Sequence, residues 1–186
     1  MAPYPILLCG GSPAERRLAP ALAQYGTVLR LCRSGLTQLG TGAPVFLLYE
    51  FDRVPDASLH GVLLLGRRLP AARAAIPPQL IPVFDSGNAA AVQLLAHHRR
   101  AGIACGCAAQ DTLSLASLSD TQAVVSLQRE LTTLDGARVE PRDLTIRFAQ
   151  PENDPPRELF ELMALSAVLL LCGRFCDENS AILRAR

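Results

Sequence analysis

The sequence predicts a mainly parallel, doubly wound α/β sheet, with an antiparallel β layer appended to it and an apolar helix near the C-terminus. Three observations carry this. The strand-length apolar runs between residues 5 and 107 are mostly continuous rather than alternating, as in strands covered on both faces. The first of them meets a glycine turn, a helix-start signature and a second apolar run, which is the opening of a parallel α/β unit. After residue 110 the pattern turns to alternation with an Asp-Gly turn, the mark of antiparallel hairpins.

Taken in order, Pro5 to Gly10 is a buried strand ending in a Gly-Gly turn. Ser12, Pro13 and Glu15 stand at the N-cap, first and third positions of a capping box, so a helix runs to about Gln24 and Gly26 stops it. Thr27 to Cys32 is the second strand. Arg33 to Pro44, rich in Gly, Ser and Thr, reads as a loop. Val45 to Phe51 and Gly61 to Leu65 are the next strands, and Leu69 to Ile76 a short helix ended by Pro77-Pro78. Leu80 to Phe84 is a strand closing on Asp85-Ser86-Gly87-Asn88. Ser86 or Asn88 caps a helix from Ala89 to Arg100, whose basic end suits the helix dipole. Ile103 to Cys107 is the sixth strand.

Thr112 to Leu118 alternates cleanly and Ala123 to Leu131 is a further strand. Asp135-Gly136 is a hairpin signal. Arg138 to Glu140 and Asp143 to Phe148 continue the pattern, with Pro141 marking an edge strand. Pro151 to Pro156 is a linker, and Arg157 to about Phe175 is a helix apolar almost all round, hence buried. The expected organisation is one domain over 1–176, parallel in 1–110 and antiparallel in 111–150, with the buried helix in 157–176 and a frayed polar tail in 177–186.

Composition excludes several functions. The 186 residues suit one domain, and 49% hydrophobic content supports a core. The 18 basic and 17 acidic residues leave a net charge of +1, which gives no footprint for nucleic acid or an anionic membrane. Every basic residue apart from histidine is Arg. Without lysine there is no Schiff base, no lysine general base and no P-loop lysine. Tryptophan is absent and aromatics are 5%, against a stacking platform for single-stranded nucleic acid. The N-terminus lacks a basic region before its short apolar run, and the apolar stretch Leu162 to Cys172 falls short of the roughly 20 residues of a membrane span. A cytoplasmic location is expected, with the six cysteines as thiols.

Ligands of open parallel sheets bind outside the carboxyl ends of the strands. Gly10, Gly11 and Ser12 put free N–H groups at a helix start, where an anion can sit, although a tight turn uses the same residues. Glu50 and Asp52 alternate, so they share a face and could hold a divalent cation, or simply end a solvated strand. Asp85, Ser86 and Asn88 are either ligand groups or turn and capping residues. Cys105-Gly106-Cys107 with His97 and His98 raises zinc or thiol chemistry, but no paired C-x-x-C accompanies it. No G-x-S-x-G occurs, and no motif places a histidine near Ser12 or Ser86.

In this order the segments resemble the central domain of the Mur ligases, the enzymes that add amino acids to peptidoglycan precursors. Residues 5–24 resemble that family's first strand, glycine turn and helix. Val45 to Asp52 is similar to its strand ending in a magnesium-facing acid, which implies that place for Glu50. Leu80 to Asn88 resembles the strand entering its nucleotide-proximal Asn-Asp-Asp turn. Residues 103–106 and 111–148 resemble its turn to an antiparallel layer, and Leu159 to Gly173 the helix that follows. The resemblance implies a nucleotide with Mg as the ligand.

The departures are chemical. Where the family has Gly-Lys-Thr or Gly-Lys-Ser, this chain has Gly11-Ser12-Pro13-Ala14-Glu15-Arg16, with no lysine for phosphate and a glutamate that repels it. The family's modified lysine has no counterpart, and no segment matches its amino-acid-delivering C-terminal domain. The expectation is a non-catalytic module that binds a nucleotide-like ligand or a protein partner. A homodimer is expected through helix 157–175 or the edge strand near 143–148. The alternative is a small metal- or phosphate-dependent enzyme built on Glu50, Asp52 and Asp85.

Overall fold

The computed structural model describes residues 2–10, 14–51, 59–66, 68–69, 75–148, 159–174 and 180–183. The chain runs β1 (Tyr4–Cys9), α1 (Ala14–Leu22), β2 (Val28–Cys32), β3 (Gly35–Leu39), β4 (Phe46–Phe51), β5 (Gly61–Leu65), β6 (Leu80–Asp85), α2 (Ala89–His97), β7 (Ile103–Gly106), β8 (Leu113–Leu118), β9 (Gln122–Leu127), β10 (Leu131–Thr132), β11 (Arg138–Val139), β12 (Arg142–Phe148), α3 (Leu159–Leu171) and β13 (Ser180–Leu183). An 11-stranded sheet has the order β13-β12-β9-β8-β7-β6-β5-β1-β4-β2-β3, and β10 pairs with β11 in a separate hairpin.

From β2 through β4, β1, β5, β6 and β7 to β8 every neighbour is parallel. Strand β8 is the seam: it runs parallel to β7 and antiparallel to β9, with a register shift between Leu115 and Ser117. The antiparallel part therefore continues the same sheet edgewise rather than stacking as a layer on it.

Two cores flank the sheet. On one face α1 and α3 pack over Ile6, Leu8, Phe46, Leu48, Val62, Leu64 and Val83, continuing under α3 to Val125 and Ile146. On the other, α2 packs over Leu7, Cys9, Leu63, Leu65 and Leu80. The central strands are thus buried on both sides, which is why their sequences read as unbroken apolar runs. Past β8 the α2 side is polar, with Gln128 donating to Ser114 and Ser126 to Asp143. Helix α3 is buried along Phe160–Leu171 and ends at Gly173, φ +60°, with Arg174 N bonded to Leu169 O and Gly173 N to Leu170 O. This is a Schellman stop. Among the described residues no helix is long and apolar enough to cross a membrane.

Several expectations are corrected. Residues 33–44 are not all loop: Gly35–Leu39 pairs antiparallel with β2. Its side chains are almost wholly exposed, so it has no buried period to show. The first helix ends at Leu22, where Gln24 N and Tyr25 N bond back three residues in a tightened last turn, ahead of Gly26. The strand expected over 123–131 is interrupted after Leu127 and resumes only at Leu131. Pro141 does not mark an edge: it stands just before β12, which pairs with β9 on one side and β13 on the other. Part of the supposed polar tail, Ser180–Leu183, is that last strand. The helix proposed over 69–76 falls largely on 70–74, and the linker 151–156 wholly, outside the described residues.

Candidate functional site

The strand ends separate the candidate residues. Gly10 closes β1 with φ +89°, a conformation that favours glycine, and a Cβ there would stand 2.7 Å from Arg68 O. Its own carbonyl accepts from Arg68 N at 2.9 Å. The tight-turn role is thus visible at Gly10, while Gly11 and Ser12 lie outside the described residues.

Glu50, near the end of β4, pairs with the Arg30 guanidinium on the neighbouring β2. Its charge is met by an internal cation. Asp52 lies outside the described residues. Between β4 and β6 stand β1 and β5, so Glu50 and Asp85 end strands about 14 Å apart at the usual strand spacing. The structure does not bring these two carboxylates together.

The carboxyl ends of β6 and β7 do form a site. A cleft of about 570 Å³ opens there, lined on one side by Asp85, Ser86, Gly87, Gly106, Cys107 and Gln110. Leu159, Phe160 and Met163, from the start of α3, form the opposite, apolar wall. The polar wall is held by Asp111, 1% exposed, which precedes β8. Its Oδ2 accepts from Ser86 Oγ at 3.1 Å and from Ala108 N at 2.8 Å.

The β6–α2 turn is closed on itself. Ser86 N donates to Cys105 O at 2.9 Å, Gly87 N to Asp85 Oδ1 at 2.8 Å and Asn88 N to Asp85 O at 2.9 Å. Asn88 caps α2, its Oδ1 accepting from Ala90 N and Ala91 N, and its Nδ2 donates to Gly66 O at 2.9 Å. Both polar atoms of that side chain serve the scaffold. Two of the N–H groups that the helix start would otherwise offer to an anion, those of Ala90 and Ala91, are engaged by this cap.

The two cysteines of the C-x-C differ. Cys105 is buried, and desolvation, then the nearby carboxylates Asp85 and Asp111, push its thiol up. Cys107 is exposed and lines the cleft. His97 and His98 stand at the far end of α2, toward the amino ends of the strands, away from both sulfurs. Among the described residues no group of three or more His, Cys, Asp or Glu is placed to hold a metal ion.

Sequence reasoning found Asp85, Ser86 and the Cys105-Gly106-Cys107 strand end but missed Asp111, Gln110, Phe160 and Met163. Asp111 carries a signal in hindsight: a lone carboxylate directly before an alternating apolar run.

No protein-family model matches the chain, and no curated protein matches it. Among solved structures it is similar to a UDP-N-acetylmuramoyl-L-alanyl-D-glutamate–2,6-diaminopimelate ligase, with a TM-score of 0.54 and 11% identity over 93% of this chain. The chain spans 44% of that ligase's length. A likeness to yersinopine dehydrogenase with NADP+ bound, at a TM-score of 0.33 and 15% identity over 98% of this chain and 48% of that one, carries no argument. At such identity the likeness is one of architecture, and the chain has a Mur ligase-like α/β fold.

Proposed function

We propose that the chain is a non-catalytic Mur ligase-like module that holds a small nucleotide-like ligand in the cleft beyond β6 and β7. The observation that carries this is the cleft itself. Its polar wall stands on rigid strand ends, its apolar wall on α3, and its volume of about 570 Å³ suits one small molecule. The non-catalytic part rests on chemistry. There is no lysine, Glu50 is neutralised by Arg30, and Ser86 bonds to an aspartate with no histidine beside it among the described residues.

The test is a thermal-shift screen with nucleosides, nucleoside triphosphates and UDP-sugars, each with and without Mg²⁺. A ligand at a hundredfold excess over its dissociation constant adds about 2.7 kcal/mol of stability. A shift lost in Asp85→Ala supports the reading. No shift with any compound, or one unchanged in that variant, removes it.

A protein partner is the second reading, favoured by one observation. Leu31 and Leu36 are 42% and 64% exposed and face each other across the β2–β3 edge hairpin. Adjacent exposed leucines on an outer strand suit a partner surface. Sedimentation of the native chain beside Leu36→Arg checks it, and a monomer at high concentration in both argues against self-association.

A further inference from the structure

We infer that the cleft recognises an amine-bearing heterocycle, held by its hydrogen-bond donors, and that any phosphate of the ligand stays outside. The inference rests on the reading of the cleft as a ligand site and names the chemistry that the site accepts.

The Ser86 hydroxyl gives its proton to Asp111, which leaves the lone pairs of Ser86 Oγ as acceptors. Ala108 N–H is bonded to the same carboxylate. In the β6–α2 turn, Ser86 N, Gly87 N and Asn88 N all bond to neighbouring oxygens. A turn that binds phosphate leaves such N–H groups free to converge on the anion. Here they are turned inward. No Arg or His stands among the described lining residues.

Two of the lining side chains present acceptors, and a third, the Gln110 amide, can turn either its oxygen or its NH2 to a ligand. Asp85 has lone pairs beyond the one engaged by Gly87 N, and Ser86 Oγ adds another acceptor. A phosphate there meets the carboxylate of Asp85 with no cation between them, whereas an exocyclic amine meets acceptors. The opposite wall of Phe160, Met163 and Leu159 takes a flat apolar face, as a heterocycle offers. Cytosine and uracil differ on one edge: C4 carries an amine donor in the first and a carbonyl acceptor in the second, with N3 reversed, so the comparison reads the exocyclic amine against a single ring N–H.

Cys107 supplies a readout inside the cleft. The full-length chain is alkylated with iodoacetamide under native conditions, and peptide mapping follows Cys107 alone. Cytidine or adenosine at saturating concentration is expected to slow its alkylation, while uridine binds about tenfold more weakly. Cytidine triphosphate with Mg²⁺ is expected to bind no more tightly than cytidine. Asp85→Asn, which keeps an oxygen for Gly87 N, is expected to lose the preference for cytidine over uridine.

Equal protection by uridine and cytidine overturns the inference, and so does a triphosphate that binds tenfold or more tightly than its nucleoside. Both results leave the cleft as a ligand site. If no compound protects Cys107 or shifts the melting point, the reading beneath the inference fails as well. The cytidine–uridine comparison uses the native chain and does not depend on the variant folding.

Discussion

Ser86 and Asp111 meet at 3.1 Å between the carboxyl end of β6 and the amino end of β8, and the strand between them carries Gly106 at the crossing. A Cβ on Gly106 would overlap both Ser86 Oγ and Asp111 Oδ2. Glycine is needed here for room rather than for a special φ. Gly106→Ala is expected to break the contact and destabilise the chain by about 1–3 kcal/mol, as overpacking does. Asp111→Ala leaves Ala108 N–H and the Ser86 hydroxyl without their acceptor and is expected to cost about 2–3 kcal/mol. Urea unfolding of the two single variants and the double variant checks this. The double variant should fall short of the sum, because both remove one contact. Strict additivity would separate Gly106 from the pair.

Asn88 joins three elements: it caps α2 through two backbone N–H groups and ties the turn to Gly66 at the end of β5. Asn88→Ala is expected to cost about 1–2 kcal/mol, and Asn88→Asp a comparable amount, because Asp retains the cap but turns a carboxylate oxygen toward Gly66 O where the amide had donated. Neither change should alter ligand affinity by more than about twofold, since the side chain bonds only to the scaffold. Thermal unfolding and ligand titration of both variants read these two effects separately.

The parallel half was legible because burial on both faces writes itself into unbroken apolar runs, as in Gly61–Leu65. Strand β3 was not, because none of its five side chains is buried and its composition is that of a turn. Strand β13 was missed for a related reason: Ser180–Leu183 follows Asp177, Glu178 and Asn179, and four residues show little period. At the site, Asp85 and Ser86 could be read from the rule that ligands gather at strand ends. Their partner Asp111 is 25 residues beyond Ser86, and only the placement of β7 between β6 and β8 brings the two together. Glu50 shows the converse. Its position looked free for a cation, but Arg30, one strand over, occupies it.

That pairing gives a test of the metal alternative. Glu50→Gln removes the carboxylate charge and leaves Arg30 without its counter-ion. If Glu50 only balances Arg30, the variant should bind Mg²⁺ no differently from the native chain and lose at most about 1 kcal/mol, as partly exposed ion pairs do. Calorimetric titration with Mg²⁺ decides the point. A stoichiometric magnesium heat in the native chain that vanishes in Glu50→Gln would restore Glu50 as a ligand.

Alkaline pH should weaken the fold. Tyr4 is pushed from 10.0 to about 12, first by burial and then by the hydrogen bond it donates to Asp135 at 2.6 Å. Burial also lifts Cys9 from 9.0 to about 11 and Cys172 from 9.0 to about 12. Each group holds its proton in the folded chain after the unfolded chain has lost it. The unfolded state therefore binds fewer protons, and stability falls with rising pH. The contribution is complete below about pH 9 and is lost on the way to about 12. In Tyr4→Phe the decline above pH 10 should be shallower, with a loss at neutral pH of about 1 kcal/mol for the missing bond. Urea midpoints measured from pH 7 to 11 test the sign, and a rise with pH would contradict it.

The outer strand at the antiparallel end gives the last prediction. β13 pairs in parallel with β12 from Thr145↔Ser180 to Phe148↔Leu183 and covers that side of the sheet. Ending the chain after Asp177 removes β13 and leaves β12 with a row of unpaired N–H and C=O groups. Strand β12 is seven residues long and buries Leu144 and Ile146 on its inner face, so its register against β9 should survive. An uncovered strand of that length is a template for pairing with another chain. The truncated chain should therefore self-associate at concentrations where the full chain does not, and Thr145→Lys in the truncated chain, which sets a charge on the freed strand, should reverse this. Sedimentation velocity of the three proteins reads the outcome. A truncated chain that stays monomeric with an unchanged urea midpoint would mean that β13 contributes nothing to closing the sheet.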